Sequence, residues 1–182
     1  MLSYAKKLFK KRVVAGVASI PARSSNLEKV IDSVAPQVDR LYVFLNNYPD
    51  LPKYLSRRNI TVFSSAVHGD LHDRGKFFAL DALEHGIFIS LDDDLQYPSD
   101  YVEKMMAALD RYDRKVAVGV HGVVYPRRPI SFFDRRVTHF STELEYDCPV
   151  SLLGTGTVAF DVENVRVRMA DFPQPGMADI WL

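Results

Sequence analysis

The sequence predicts an α/β domain with a mostly parallel central sheet flanked by helices. Apolar, β-branched runs of strand length occur at 12–20, 40–45, 60–63 and 87–91, bounded by polar or Pro-containing punctuation. Between the first two lies a segment of helical period, so the order runs strand, helix, strand, connection, strand, as in a parallel sheet. At 182 residues the chain suits one domain with a substantial core.

In the first strand Val13, Val14, Val17 and Ile20 are the apolar content, and Pro21-Ala22-Arg23 breaks it. Ser25 stands three residues before Glu28, a capping-box spacing. Leu27, Val30, Ile31 and Val34 then repeat with a helical period until Pro36 stops them. After the strands at 40–45 and 60–63, residues 68–75 read as a loop and 76–85 as a helix burying Phe77, Leu80 and Leu83, with Gly86 as its stop. His68, Asp70, His72 and Asp73 could be drawn as a metal site, but Gly69 argues against the helix that pairing requires. A solvated loop is the plainer account. A helix at 99–112 should bury Val102, Met105, Met106 and Leu109, the Met pair as core filling. A strong strand at 116–124 encloses His121, read as a core or edge residue. Residues 125–147 are irregular, with Arg127, Arg128, Arg135 and Arg136 among Phe132, Phe133 and Phe140. The segment 150–160 contains Gly154-x-Gly156-x-x-Ala159, formally a dinucleotide fingerprint, but that motif should open a helix and this one favours strand. A glycine-bearing strand approached closely by a ligand fits better. Asp161 suits the cap of a short helix at 162–167.

Lys+Arg and Asp+Glu both total 23, so bulk charge points to no nucleic-acid partner. A single cysteine, Cys148, rules out an internal disulfide and a cysteine-built metal site, and suits a cytoplasmic location. No apolar run approaches the ~20 residues that cross a bilayer. The basic segment 1–12 lacks the apolar centre of a secretory signal; it could lie on the inner face of an anionic membrane as an amphipathic helix, or remain a solvated terminus.

The richest stretch follows the fourth strand: Asp92, Asp93 and Asp94, then Tyr97-Pro98-Ser99-Asp100-Tyr101. If the chain stays extended, Asp92 and Asp94 share a face and Asp93 points away. Two carboxylates within ~7 Å at a strand end repel, and a divalent cation with hard oxygen ligands, Mg2+ or Mn2+, relieves that. The plainer alternative is a polar loop capping the next helix, which Asp100 and Glu103 suit. Lys76, at the start of an expected helix, opposes its dipole, and a nearby phosphate would give it a reason.

This arrangement resembles the metal motif of nucleotide-sugar glycosyltransferases of the GT-A fold, above all glycosyltransferase family 2 in its bacterial polysaccharide-building members. The resemblance implies a single GT-A-like (Rossmann-like) domain over 13–182, with a nucleotide-binding half at about 13–101 and an acceptor-side half at about 102–182. It implies Pro21, Arg23, Asp73, Lys76, Asp92 and Asp93 at the nucleotide, Asp94 with Asp92 at the metal, and Gly154, Thr155, Gly156 and Trp181 on the acceptor side. Met177-Ala178-Asp179-Ile180-Trp181-Leu182 resembles the segment carrying the catalytic base, making Asp179 that base. The implied activity is inverting transfer of a sugar, from a UDP-sugar by preference, to a glycan or lipid-linked acceptor in surface polysaccharide synthesis. Relatives usually continue beyond this point, so a fragment or a minimal version is expected, and the uncovered apolar end favours self-association. Two rivals stand beside it. A nucleotidyltransferase should have a glycine-rich basic loop after the first strand, where Ser19-Ile20-Pro21-Ala22-Arg23 is poor in glycine; a non-catalytic sugar-nucleotide or glycan-binding module would keep the acids without turnover.

Overall fold

The computed structural model describes residues 11–182. The amphipathic helix expected over 1–12 falls almost wholly outside the described residues. In chain order the strands are β1 (Val13–Ser19), β2 (Arg40–Leu45), β3 (Ile60–Ser64), β4 (Ile87–Leu91), β5 (Gly122–Val124), β6 (Arg136–Thr138), β7 (Leu152–Leu153) and β8 (Ala159–Asp161). The α-helices are α1 (Ser24–Val34), α2 (Ser65–His68), α3 (Tyr101–Asp110) and α4 (Ala178–Trp181). The main sheet has the order β3-β2-β1-β4-β8, with β8 antiparallel to β4 and the other pairings parallel. A second sheet has the order β6-β5-β7 and is antiparallel. The chain is therefore α/β, with a five-stranded, mostly parallel sheet compatible with a Rossmann-like domain.

The pleat of β1 explains why its sequence is apolar throughout. Val13, Ala15 and Val17 face a core completed by Leu27, Val30, Ile31 and Val34 of α1 and by Val102, Met105 and Leu109 of α3. Val14, on the opposite face, joins Phe77, Phe88, Phe160, Phe172 and Ala178. Both faces are covered, as parallel sheets require. Gln37 ties α1 to α3, donating to the carbonyls of Ser33 and Pro98 and accepting the N–H of Val102.

Several local expectations need correcting. The capping box is absent: the 3-10 turn Pro21–Arg23 runs straight into α1, so Ser25 is already helical and no side chain caps the helix. Residues 76–85 do not form an α-helix. Two 3-10 turns, His72–Phe77 and Leu80–Ala82, take their place, closed by Phe78 N–H to Gly75 O and Leu83 N–H to Leu80 O. Gly75 is pressed against the Phe44 ring, where a Cβ would lie 2.7 Å from it. The tighter turn keeps the backbone flat on the sheet. The loop expected at 68–75 instead contains the end of α2, where His68 packs against Phe78 with ring centroids 4.6 Å apart and the planes tilted. The strand expected over 116–124 splits: Val118 bridges Ala159 of the main sheet, and after Gly119 the chain moves to the second sheet as β5. The helix expected over 162–167 is a turn, because Asp161 is drawn inward to Lys11 at 2.6 Å and to the N–H of Glu163.

Among the described residues, no helix is long and apolar enough to cross a membrane.

Candidate functional site

The order of the main sheet reverses between β1 and β4: β2 and β3 extend from one side of β1, β4 and β8 from the other. In open α/β sheets the crevice beyond the carboxyl ends of the strands at such a reversal is where ligands bind. Here it is formed by Pro21–Arg23 after β1 and Asp92, Asp93 and Asp94 after β4.

The acids do not alternate as an extended chain would make them. The β1–β4 register ends at Val17 opposite Leu91, and the N–H of Asp92 turns to the Tyr97 hydroxyl at 2.8 Å. With the chain turning, Asp93 and Asp94 share one cation: Arg23 Nη1 lies 2.9 Å from Asp93 Oδ1 and 3.1 Å from Asp94 Oδ2. Asp93 is buried, and its hydrogen bond holds the Arg23 guanidinium above its ordinary range. Asp92 faces elsewhere. Its Oδ1 accepts Lys76 Nζ at 2.5 Å.

Lys76 is only 4% exposed, unusual for a lysine and acceptable only where the charge is paired. Its second partner is Thr155 Oγ1 at 3.2 Å. The backbone explains how it arrives there. Gly16, at the centre of β1, faces the carbonyl of Lys76 so closely that a Cβ would lie 2.0 Å from that oxygen. Glycine within a strand permits such an approach. The reason for Lys76 is therefore already inside the protein: it neutralises Asp92.

From Lys76 the contacts continue to the chain end. Thr155 donates its hydroxyl to Asp179 Oδ1 at 2.5 Å, and its N–H donates to the same oxygen at 2.7 Å. Asp179 is exposed. Asp92, Lys76, Thr155 and Asp179 thus form one connected chain of polar groups. Two supports hold it. Tyr97 donates to the carbonyl of Gly156 at 2.6 Å, fastening the 154–157 turn to the acidic loop, and burial pushes its phenol well above its usual range. Ser90 in β4 donates to the carbonyl of Thr155.

Gly156 is required by the fold: a Cβ there would lie 2.3 Å from Asp92 Oδ2. The close approach expected of a ligand is made by a side chain of the protein. Gly154 faces the ring of His121, whose buried Nδ1 has no hydrogen-bond partner among the described residues. The turn at 154–157 leads into β8 and opens no helix, in keeping with the rejected fingerprint. Asp73 has a different task from the nucleotide contact expected of it. Its two oxygens accept the N–H groups of Gly176 at 2.6 Å and Ala178 at 3.1 Å, which sets the turn that delivers Asp179. Pro21 starts the 3-10 turn that carries Arg23. Trp181 is 37% exposed.

Sequence reasoning passed over Tyr97 as a fastener, and Ser90 and Gly16 entirely. A glycine at the centre of an otherwise apolar strand was the available signal for Gly16. The hollows bordered by Val124, Tyr125 and Phe133 and by Arg111, Tyr112 and Tyr146 lie off this cluster.

The four carboxylates of Asp92, Asp93, Asp94 and Asp179 face two cations, Arg23 and Lys76, leaving an excess of negative charge. Among the described residues no three Asp, Glu, His or Cys side chains converge as a metal cage. Magnesium, however, commonly takes one or two carboxylates and completes its shell with phosphate and water. Asp92 and Asp94, with side chains 40% and 43% exposed, are carboxylates of that kind, and an ion shared between them would replace Lys76 at one and Arg23 at the other. No family model and no curated protein matches the chain.

Proposed function

We propose that this domain is a GT-A-type, metal-dependent glycosyltransferase of the family 2 kind, moving a sugar from a nucleoside diphosphate, UDP by preference, to a hydroxyl of a glycan or lipid-linked acceptor. The observation that carries the reading is the continuous run Asp92–Lys76–Thr155–Asp179 at the reversal point of the sheet. It joins a group of acids suited to a bound cation to a separate, exposed carboxylate.

Asp92 and Asp94 would hold a magnesium or manganese ion, which when bound supplies Lewis-acid stabilisation of the leaving diphosphate. Arg23 and Lys76 add fixed positive charge on the phosphate side. Thr155 fixes Asp179 through Oδ1, leaving Oδ2 to take the proton of the acceptor hydroxyl as general base. The acceptor oxygen bonds to the anomeric carbon as its bond to the diphosphate breaks, with inversion. Polysaccharide assembly on the cytoplasmic side of a membrane is the setting this reading carries with it.

Calorimetry with UDP, GDP, CDP and ADP, each with and without manganese, tests it. Manganese-dependent binding of one diphosphate, lost in Asp94→Ala, is expected; Asp179→Asn should keep that binding and lose turnover. Binding of none sinks the reading.

A non-catalytic sugar-nucleotide-binding module is the second reading. It is favoured by one observation, that Arg23 and Lys76 already pair all three acids of 92–94. It expects metal-independent binding and no turnover. The nucleotidyltransferase alternative gains nothing, because the turn after β1 holds proline and no glycine.

A further inference from the structure

The β5–β6 connection, residues 125–135, is organised yet turns its apolar side chains outward. Ile130 is 95% exposed, Phe133 82% and Phe132 57%. The loop is closed on itself: Ile130 N–H reaches Asp134 at 3.3 Å, Asp134 N–H the carbonyl of Ser131 at 3.1 Å, and Arg135 N–H that of Phe133 at 2.8 Å. Arg135 sits over the Phe132 ring at 3.7 Å and donates to its carbonyl, fixing that ring against the base of the loop. A loop held this way spends its order on presenting Ile130 and Phe133 to solvent.

Around that apex the charge is mostly positive. Arg127, Arg128, Arg135 and Arg136 stand against the single acid Asp134, and among the described residues none of the four arginines forms an ion pair. Of the acids that follow β6, Glu143 is exposed, while Glu145 and Asp147 line a separate hollow with Arg111 and Tyr112. Ile130, 95% exposed, projects from the tip, and Phe133, 82% exposed, stands at the border of the hollow it shares with Val124 and Tyr125. Aromatic and aliphatic groups on a projecting tip, ringed by unpaired arginines, complement an apolar layer beneath a sheet of negative headgroups.

We infer that the 125–136 hairpin docks the domain on an anionic lipid bilayer, with Ile130 and Phe133 entering the headgroup–acyl boundary and the arginines resting on lipid phosphates. The surface is distinct from the acidic site, and the inference does not rest on the transferase reading. Because β5 pairs with β7, which leads into Gly154 and Thr155, a docked hairpin would hold the acceptor side of the candidate site near the membrane.

Vesicle co-sedimentation of the full chain tests this, with phosphatidylcholine alone and with phosphatidylglycerol added. Wild type should bind only the anionic vesicles and release as salt is raised. Ile130→Ser/Phe133→Ser and Arg127→Glu/Arg128→Glu should each weaken binding about tenfold or more, with thermal unfolding unchanged because these side chains are exposed. Absence of wild-type binding overturns the inference. So does binding equally tight in both variants, which would move the attachment to another surface such as 1–12. A wild-type dimer turned monomeric by Ile130→Ser/Phe133→Ser in sedimentation velocity also overturns it, assigning the tip to a second copy of the chain.

Discussion

Every residue of β4 is buried, whereas two of the three residues of β6 are exposed. The two strands belong to sheets joined through two short stretches of chain, 119–121 and 154–158, and both are rich in β-branched residues. They differ in what covers them. The main sheet has α1 and α3 on one face and the 72–82 turns with the Phe172 segment on the other, so its strands are held by burial. The second sheet has strands of two or three residues and keeps Val137 and the neighbouring aromatics in solvent. Its order comes from ladder pairing and from anchors such as Arg111 and Tyr112 on Asp147, which hold that carboxyl below its usual range. The comparison teaches that apolar character in this chain has two uses, stability in one sheet and a contact surface in the other.

Substitutions can break or sharpen that contrast. The largest effect is expected from Phe88→Ala in β4, whose fully buried ring packs at 5.6 Å from Phe160 and 6.0 Å from Phe77. It should cost about 3–5 kcal/mol in urea unfolding; a loss below about 1 kcal/mol would mean the second core is not close-packed. Tyr97→Phe comes next. It leaves the Asp92 N–H and the Gly156 carbonyl without their partner and should cost about 1–3 kcal/mol.

The same tyrosine has a pH signature. Burial raises the phenols of Tyr97 and Tyr101, so the folded state keeps protons that the unfolded chain releases above about pH 10. Their contribution is full below that pH and is lost as pH rises, by about 1.4 kcal/mol per unit for each group. Stability measured between about pH 9 and 11 should fall less steeply in Tyr97→Phe than in wild type; equal slopes would mean Tyr97 is not held neutral. The smallest effect is expected for Val137→Ala in β6, within about 0.5 kcal/mol. A large loss there would place a hidden core under the second sheet.

The sequence by itself determined most of the main sheet and the residue types gathered beyond the ends of its strands. Strands 40–45 and 87–91 are legible to the residue because a strand largely buried on both faces is mostly apolar, and helix α1 because its face repeats at Leu27, Val30, Ile31 and Val34. Met105 is buried as core filling, as its spacing suggests. Of the site residues, Lys76, Asp92 and Asp94 were singled out by residue type and position, and Arg23, Asp93, Thr155 and Asp179 by the family resemblance. What only the tertiary structure decided is how they are paired. Strand alternation set Asp92 with Asp94, but the ladder stops at Leu91 and the chain turns, so Arg23 collects Asp93 and Asp94 while Asp92 goes to Lys76. Helical periodicity at 76–85 gave way to 3-10 turns because Gly16 and Gly75 let the backbone lie against β1 and Phe44. Asp73 was drawn to the backbone N–H groups of 176–178, a contact spanning about a hundred residues that no local pattern encodes. Periodicity reports which face a residue shows; which partner meets that face is settled only when distant segments pack.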